Sequence, residues 1–352
     1  MKTLTRSIML SLLIAVTGLA LVTSTATSQG DQPLDGMQIE QANASWVSAA
    51  PVTQVFAQLF EELGASVQIQ QFSSNGLAYQ AMDLNDLDFW ANGWFPLHNP
   101  QLPEDFSGKL YDAHCENCTI EGYLIDIPSI EEYEITSLMD FVGNDELKQA
   151  FDENGDGKAD IFGCPPGWGC HGVIEAHMEL YPEFQDTFNH VTASYSANFA
   201  TAQARIENGE AALFYTWAPN NTVLQLVPGE DVKYVNLVDD PANLKLAPAY
   251  EAFDIEDLTL AGLGDDAVTD PTHLGFVAGS IHAVASGNFS GNAVANELLS
   301  QVRLQQLWIN EATLAIKNDE ASAEELAAQW IEDNRDTVDE WLNAARGAGS
   351  GM

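Results

Sequence analysis

Short predicted strands alternate with predicted helices along the first part of the chain, and this order restricts the fold more than any other feature. Predicted strands cover residues 37–42, 67–72 and 87–92, and predicted helices cover 51–63 and 79–87. The alternation is typical of an α/β layered domain with a largely parallel sheet. In such sheets, ligands bind at the carboxyl ends of the strands.

A second unit of the same kind follows, and the chain then returns to the first. A predicted strand at 122–127 opens the second unit, a loop-rich region covers 238–272, and a predicted strand at 276–285 precedes a largely helical tail at 293–345. This order indicates two lobes with a cleft between them, which is a preferred place for a small ligand. We expect lobe I to comprise residues 29–120 and 239–352, and lobe II to comprise residues 121–238.

The N-terminal segment has the composition of a secretory signal peptide. Lys2 and Arg6 precede an apolar run at 8–22 and a small, hydroxylated stretch at 23–28. We therefore predict a signal peptide over residues 1–28 and export of the mature protein to the periplasm. A membrane anchor is the alternative interpretation, although no basic stop-transfer flank follows the apolar run. Elsewhere, the sequence has no run of about 18 apolar residues, the length needed to span a bilayer.

The chain is strongly acidic. Its 352 residues include 52 Asp and Glu against 12 Lys and Arg, which gives a formal net charge of -40. A surface of this sign repels nucleic acids and anionic membranes, so we expect neither as a partner. We expect a monomer that binds a small molecule.

Four cysteines in an exported chain favour disulfides over free thiols. Cys164 and Cys170 flank a tight Pro-Pro-Gly turn, and closing so short a loop contributes about 2 kcal/mol to the free energy of unfolding. Cys115 and Cys118 form a C-x-x-C pair beside His114. That pair has two interpretations, a small surface disulfide and a redox or metal site.

Three tryptophans fall in turns or just after predicted strands instead of at helical core spacing. They are Trp94 in NGWFPLH, Trp168 in PPGWGC and Trp217 in FYTWAP. Any one of them could simply cover the core. Together they suit a quaternary ammonium group, which has no N–H to donate and is held by aromatic faces at about 0.5 to 2 kcal/mol each.

Hydrogen-bond donors for an anionic group lie close to the same turn. A helix is predicted to begin near Gly169, so the backbone N–H groups of Gly169 and Cys170 have no acceptor within the helix and can receive a carboxylate. His98, four residues beyond Trp94, offers a side-chain donor. An aromatic end and a donor-rich end together describe a site for a betaine.

These residues carry a family resemblance. The PLH after Trp94, the stretch FDENGDGKADIFGCPPGWGC and the stretch FYTWAP resemble the glycine betaine/proline betaine-binding proteins of bacterial osmoprotectant ABC importers, over about residues 36–345. The resemblance implies a two-lobed type II periplasmic-binding-protein fold that closes on its ligand, and a membrane permease as partner. It also implies an aromatic box of Trp94, Trp168 and Trp217, a carboxylate clamp of His98, Gly169 and Cys170, and a Cys164–Cys170 disulfide.

Some positions depart from the family pattern and leave the ligand open. Trp46 and Trp90 are additional candidates for the site, because Trp46 follows the first predicted strand at an edge expected to face the cleft. Proline betaine, other methylated zwitterions and sulfonium analogues meet the same physical demands as glycine betaine. A choline or carnitine binder is the alternative within this class.

One loop resembles the front half of a calcium-binding EF-hand loop. Its twelfth position is Gly163 where the motif has a bidentate Glu, so an Asx-rich turn without metal is the competing interpretation. The residues concerned are Asp152, Asn154, Asp156, Lys158 and Asp160.

The sequence carries no G-x-S-x-G, P-loop or H-E-x-x-H motif. We therefore expect no enzymatic activity and no cofactor, with a structural calcium in the loop described above as the alternative. A secreted hydrolase or a calcium-dependent surface protein remains the alternative from a different class.

Overall fold

The structure is a computed structural model that describes residues 32–350. The predicted signal peptide at 1–28 lies outside the described residues. Within 32–350, none of the helices combines the length and the apolar character needed to cross a membrane.

Residues 32–350 contain strands, α-helices and short 3-10 helices in alternation. The strands are β1 Gln38–Ala44, β2 Ser66–Phe72, β3 Phe89–Phe95, β4 Lys109–Asp126, β5 Ala159–Phe162, β6 Phe188–Val191, β7 Leu213–Ala218, β8 Val232–Tyr234 and β9 Gly279–Ala285. The α-helices are α1 Ala49–Glu62, α2 Asn75–Asp83, α3 Ile127–Tyr133, α4 Asp145–Ala150, α5 Gly169–Leu180, α6 Pro182–Thr187, α7 Tyr195–Glu207, α8 Thr222–Gln225, α9 Ala293–Gln301, α10 Gln306–Lys317, α11 Ala323–Asp333 and α12 Arg335–Gly349. The 3-10 helices are Asn99–Gln101, Leu138–Phe141, Pro241–Asn243, Pro248–Tyr250, Ile255–Leu258, Gly264–Asp266 and Phe289–Gly291.

A continuous sheet passes through the described part of the chain in the order β2-β1-β3-β9-β4-β7-β5-β6, with β8 added beside β4. The 18-residue strand β4 is the shared element. Its first part pairs with β9, and its second part, from Ile120 onward, pairs with β7 and β8. The two halves of the sheet are therefore joined along β4.

The expectation of a largely parallel sheet is wrong for the centre of the sheet. Strand β1 pairs in parallel with β2 and β3, and β5 pairs in parallel with β6 and β7. In contrast, β9 is antiparallel to both β3 and β4, and β4 is antiparallel to β7 and β8. Parallel pairing follows from strand–helix–strand crossovers, whereas β4 and β9 carry the chain between the two units and run against their neighbours.

Helix α1 shows how the sequence places a buried layer on this sheet. Its apolar side chains recur at helical spacing on one face, and that face is fully buried. Burial of each such side chain contributes about 1.5 to 3 kcal/mol. The residues of this face are Val52, Val55, Phe56, Leu59 and Phe60.

Several element bounds differ from the prediction. Strand β4 begins at Lys109, well before the predicted 122–127, because its first part is polar and its pairing with β9 is interrupted by register shifts that hide the alternation. The four-residue strands β5 and β6 were not predicted, since they are too short to show a period. The region 238–272 has no named strand or α-helix, which confirms its loop-rich character. The lobe boundaries themselves stay a prediction.

Both cysteine pairs form disulfides. Cys164 and Cys170 are joined across the turn that precedes α5, with a Cα–Cα distance of 6.4 Å, as the sequence predicts. Cys115 and Cys118 are joined within β4, with a Cα–Cα distance of 5.7 Å. Cys115 and Cys118 are therefore disulfide-bonded, but the expected surface position is wrong, because both side chains are buried.

The first residue of α5 is packed too closely for any side chain. A Cβ atom added at Gly169 would lie 2.6 Å from Cγ of Leu97 and 3.2 Å from Cδ2 of His98. Glycine therefore allows the N-terminus of α5 to approach the turn that carries His98. At Gly172, in the same helix, an added Cβ atom has no neighbour within 4 Å.

We predict opposite effects of alanine at these two glycines of α5. Gly169→Ala should lower the free energy of unfolding by about 1 to 3 kcal/mol, because Leu97 has to move. Gly172→Ala should raise it by up to about 1 kcal/mol, because alanine is the better helix former and meets open space. Urea denaturation of both variants measures the difference, and equal effects at the two positions would show that the close approach at Gly169 is absent.

Candidate functional site

A cavity lies where β3, β7 and the first turn of α5 come together. It is narrow and partly open to solvent, so it suits a ligand of small size. Its aromatic lining consists of Trp46, Trp94, Trp168, Tyr215 and Trp217. The remaining lining residues are Asn75, Leu97, His98, Glu121, Gly169 and Cys170.

The structure brings all three tryptophans of the predicted aromatic box into this cavity. Trp94 and Trp217 lie within β3 and β7, near the strand ends, where the sequence had suggested positions after the strands. Trp168 immediately precedes α5, in the turn closed by the Cys164–Cys170 disulfide. Each of the three indole side chains is almost fully buried. A cation bound between them would therefore be shielded from water.

Trp168 connects the aromatic side chains with one another. Its ring meets the ring of Trp217 edge to face at a centroid distance of 5.7 Å, and the ring of Trp46 edge to face at 5.4 Å. Its Nε1 donates a hydrogen bond to Oγ of Ser45 at 3.0 Å. Edge-to-face pairs of this kind stabilise a fixed ring orientation. Trp168 is therefore held by partners from β7 and from the segment after β1.

The two additional tryptophan candidates have different positions. Trp46 lines the cavity, as expected from its place after the first strand. Trp90 is fully buried and is not among the lining residues. Its ring stacks on the ring of His98 at a centroid distance of 5.5 Å and an angle of 20°. His98 thus lies between Trp90 and the cavity, and this position does not support a direct ligand contact for Trp90.

His98 presents a defined hydrogen-bond donor. The backbone N–H of Trp94 donates to its Nδ1 at 3.2 Å, and Oη of Tyr79 lies 2.8 Å from the same nitrogen. Burial lowers the pKa of His98 to about 3, so the ring is neutral at physiological pH. Because Nδ1 accepts, the proton resides on Nε2, which lies 2.9 Å from Nδ2 of Asn75. Two donors cannot bond to each other, so the Nε2–H needs an acceptor, which is either the Asn75 amide oxygen after a flip of the amide or an atom of the ligand.

The first turn of α5 adds backbone donors next to His98. Gly169 and Cys170 both line the cavity, and their N–H groups belong to the positively polarised end of the helix. The close packing of Gly169 against Leu97 and His98 brings these amides and the His98 ring to one side of the cavity. The predicted clamp residues are therefore together in the structure.

Glu121 is a cavity residue that the sequence did not indicate. It lies in β4 directly opposite Trp217 in the β4–β7 ladder and is 3% exposed. Oη of Tyr215 donates a hydrogen bond to its carboxylate at 2.5 Å. Burial raises the pKa of Glu121 to about 7, against the opposing effect of the Tyr215 hydrogen bond. An acid one residue before a predicted strand is normally solvated, so the sequence offered no signal for it.

Hydrogen bonds cross from the turn before α5 to the segments around α2. The backbone N–H of Asn75 donates to the carbonyl oxygen of Gly167 at 3.1 Å, and Nε2 of Gln101 donates to the same oxygen at 3.4 Å. Together with the Trp168–Ser45 bond, they hold the turn over the cavity. The structure is thus a closed arrangement of the site.

The acidic loop after α4 has its carboxylates engaged by the chain itself. Asp152 accepts hydrogen bonds from the backbone N–H groups of Gly155 and Gly157, each at 2.7 Å. Asp160 accepts from the backbone and the side-chain amide of Asn154, at 3.2 and 3.1 Å. This pattern is that of an Asx-rich turn. Calcium binding by the loop stays a prediction.

Comparison with known proteins places the chain in a family. The sequence model OpuAC, described as the substrate-binding domain of an ABC-type glycine betaine transport system, matches residues 38–333. The glycine betaine-binding periplasmic protein OusX of Dickeya dadantii (strain 3937) is 29% identical over 344 residues, which cover 95% of this chain and 98% of the relative. The glycine betaine/proline betaine-binding periplasmic protein of Escherichia coli (strain K12) is 27% identical over 338 residues, which cover 94% and 97%.

Solved structures share the fold at low sequence identity. Lactococcal OpuAC, in its closed-liganded conformation complexed with glycine betaine, has a TM-score of 0.63 at 18% identity, covering 87% of this chain and 99% of that chain. An ABC-transporter choline-binding protein in complex with choline has a TM-score of 0.63 at 17% identity, covering 89% and 96%. The expected two-lobed type II periplasmic-binding-protein fold is thereby confirmed. The chain belongs to the family of substrate-binding domains of ABC-type glycine betaine transport systems.

Proposed function

We propose that this protein binds glycine betaine, or a related quaternary ammonium or sulfonium zwitterion, and delivers it unchanged to the membrane permease of an ABC importer. The observation that carries the proposal is a single cavity in which indole rings, helix-terminal amides and a neutral histidine converge. The relatives named above are periplasmic proteins, and the predicted signal peptide supports the same location for this chain.

The cationic end of the ligand is assigned to the aromatic lining. We propose that Trp94, Trp168 and Trp217 surround the methylated head, and that Trp46 adds a further wall. A fully alkylated ammonium cannot donate a hydrogen bond, so the attraction comes from the π-faces, at about 0.5 to 2 kcal/mol per ring. With the burial of the methyl groups, the total reaches about -8 kcal/mol, which corresponds to a micromolar dissociation constant.

The anionic end of the ligand is assigned to the first turn of α5. The N–H groups of Gly169 and Cys170 are donors on this side of the cavity, and the ligand carboxylate would take the place of the Asn75 amide as the partner of the His98 Nε2–H. Hydrogen bonds to a carboxylate are stronger than those between neutral groups. These donors therefore favour a ligand that carries both a methylated cation and a carboxylate.

Glu121 gives the site a charge opposite to that of the ligand head. Its carboxylate faces the cavity beside Trp217 and Tyr215. A trimethylammonium group next to it would favour the ionised carboxylate, since the two opposite charges attract in a poorly solvated space. We propose that Glu121 is ionised when a ligand is bound.

Closure of the lobes explains how such a site serves transport. The turn before α5 is held over the cavity by hydrogen bonds to Ser45, Asn75 and Gln101. A ligand that contacts both sides binds the closed state more tightly than the open state and shifts the equilibrium toward closure. We propose that the permease recognises the closed, ligand-bound monomer.

A choline binder is the second candidate, because one of the structures with the same fold is complexed with choline. Choline has the same methylated head but lacks the carboxylate. The aromatic lining serves both ligands, whereas the donors of His98 and α5 serve only the zwitterion. His98 therefore distinguishes the two candidates.

We predict that His98→Ala weakens glycine betaine binding by at least about tenfold and changes choline binding far less, because only the zwitterion accepts the Nε2–H. Titration calorimetry with both ligands on the same preparation measures the two ratios. A variant with a damaged fold would bind both ligands more weakly by the same factor. The difference between the two affinity ratios therefore reports on His98 itself. An equal loss for both ligands would contradict the assignment of His98 to the carboxylate.

We predict that affinity for glycine betaine rises with pH through the pKa of Glu121 at about 7. Below this pH the carboxyl group is neutral and has to release a proton for the charged head to bind. Binding should therefore be about tenfold weaker at about pH 6 than at about pH 8. Because the pKa of His98 is about 3, His98 does not titrate in this window.

Glu121→Gln is the matched control for this pH dependence. It keeps a hydrogen-bonding side chain beside Tyr215 and cannot titrate, so its affinity should be constant between the same pH values. Calorimetry in buffers of different ionisation enthalpy should also show proton release for the wild type alone. A pH-independent affinity of the wild-type protein would remove Glu121 as the partner of the ligand head.

A further inference from the structure

A cluster of two histidines and a glutamate, none of which lines the cavity, lies on α5 and β6. His171 and Glu175 are four residues apart on α5, and His190 is on β6. One nitrogen or oxygen ligand atom from each of the three side chains lies within 4.8 Å of the other two. Residues four apart share a helix face, so the helix itself places the first two donors side by side.

The third ligand residue, His190, is fixed in position by the residues around it. The His190 side chain is only 4% exposed, and a Cβ atom at Gly163 would lie 2.2 Å from its Nε2, so the ring occupies space that only glycine leaves. Its Nδ1 donates a hydrogen bond to Oε1 of Glu175 at 2.6 Å. The rings of His171 and His190 have a centroid distance of 5.2 Å. The cluster is therefore largely preformed and opens to solvent at Glu175.

We propose that His171, Glu175 and His190 form a binding site for a divalent transition-metal cation of the zinc type. Two imidazoles and one carboxylate, with a water in the fourth position, are a common ligand set for Zn²⁺. Imidazole nitrogen favours such metals over Ca²⁺ and Mg²⁺, which take oxygen ligands. The metal takes the place of the proton on Nδ1 of the neutral His190 ring, and that proton moves to Nε2, so the ring remains neutral and no net proton is released.

The surroundings of His190 set the expected strength of the site. Among residues 32–350, its buried Nε2 has no hydrogen-bond partner. Histidine ligands usually donate this second N–H to an acceptor, and loss of such a partner weakens metal affinity by about 10- to 100-fold. The site should therefore be weaker than a structural zinc site.

The position of the cluster links it to the carboxylate clamp. His171 follows Cys170 directly, so a bound cation would add positive charge within one turn of the amides assigned to the ligand carboxylate. This second step rests on the proposed function. If it holds, the metal strengthens binding of a zwitterion more than binding of choline, whereas metal binding itself needs no organic ligand.

The test is a titration of the chelator-treated full chain with Zn²⁺, followed by calorimetry without any betaine. The wild type should show saturable binding at one site, and Glu175→Gln should weaken it by at least about tenfold. Glu179→Gln is the matched control, since Glu179 is exposed one helical turn further along α5, and it should bind Zn²⁺ as the wild type does. His171→Asn, a partly exposed position, should weaken binding as Glu175→Gln does.

Three results would overturn the proposal. They are the absence of saturable Zn²⁺ binding by the wild type, retention of full affinity in both Glu175→Gln and His171→Asn, and an equal loss in Glu179→Gln. Thermal unfolding of each variant without metal shows whether it is folded. Because no betaine is present, failure of this test leaves the assignment of the ligand cavity unaffected.

Discussion

The contact that organises the site is the packing of Trp168 against Trp46 on one side and Trp217 on the other. These rings come from the segment after β1, from the turn before α5 and from β7, so the contact joins distant parts of the chain. The disulfide fixes the turn, and the Trp168–Ser45 hydrogen bond fixes the ring. Once Trp168 is placed, the amides of the following two residues are placed as well.

The electrostatics of the site follow from the same arrangement. Burial keeps His98 neutral, which leaves it one N–H donor and one acceptor nitrogen, and burial also raises the pKa of Glu121 to about 7. A chain with a net charge of -40 attracts cations without discrimination. Selectivity for a methylated zwitterion therefore depends on the short-range geometry of rings and donors, not on the overall charge.

The site residues that are close together in the sequence could be predicted from it. Trp168, Gly169 and Cys170 are consecutive, and His98 is one turn from Trp94, so a motif shows them together. Glu121 and Asn75 could not be predicted. The place of Glu121 depends on the pairing of β4 with β7, and that of Asn75 on the approach of α2 to a turn that is distant in the sequence. The fold class was predictable from alternation, whereas the antiparallel centre of the sheet was not, because strand direction depends on connections between the lobes.

Binding depends on recognition of the positive charge of the ligand, and not of its shape alone, by the indoles and Glu121. Glycine betaine and tert-butylacetate have the same shape and the same carboxylate, but the second has carbon in place of the charged nitrogen. We predict that tert-butylacetate binds at least about a hundredfold more weakly in titration calorimetry, because both the cation–π attraction of several rings and the attraction to Glu121 are lost. Equal affinity for the two compounds would contradict it.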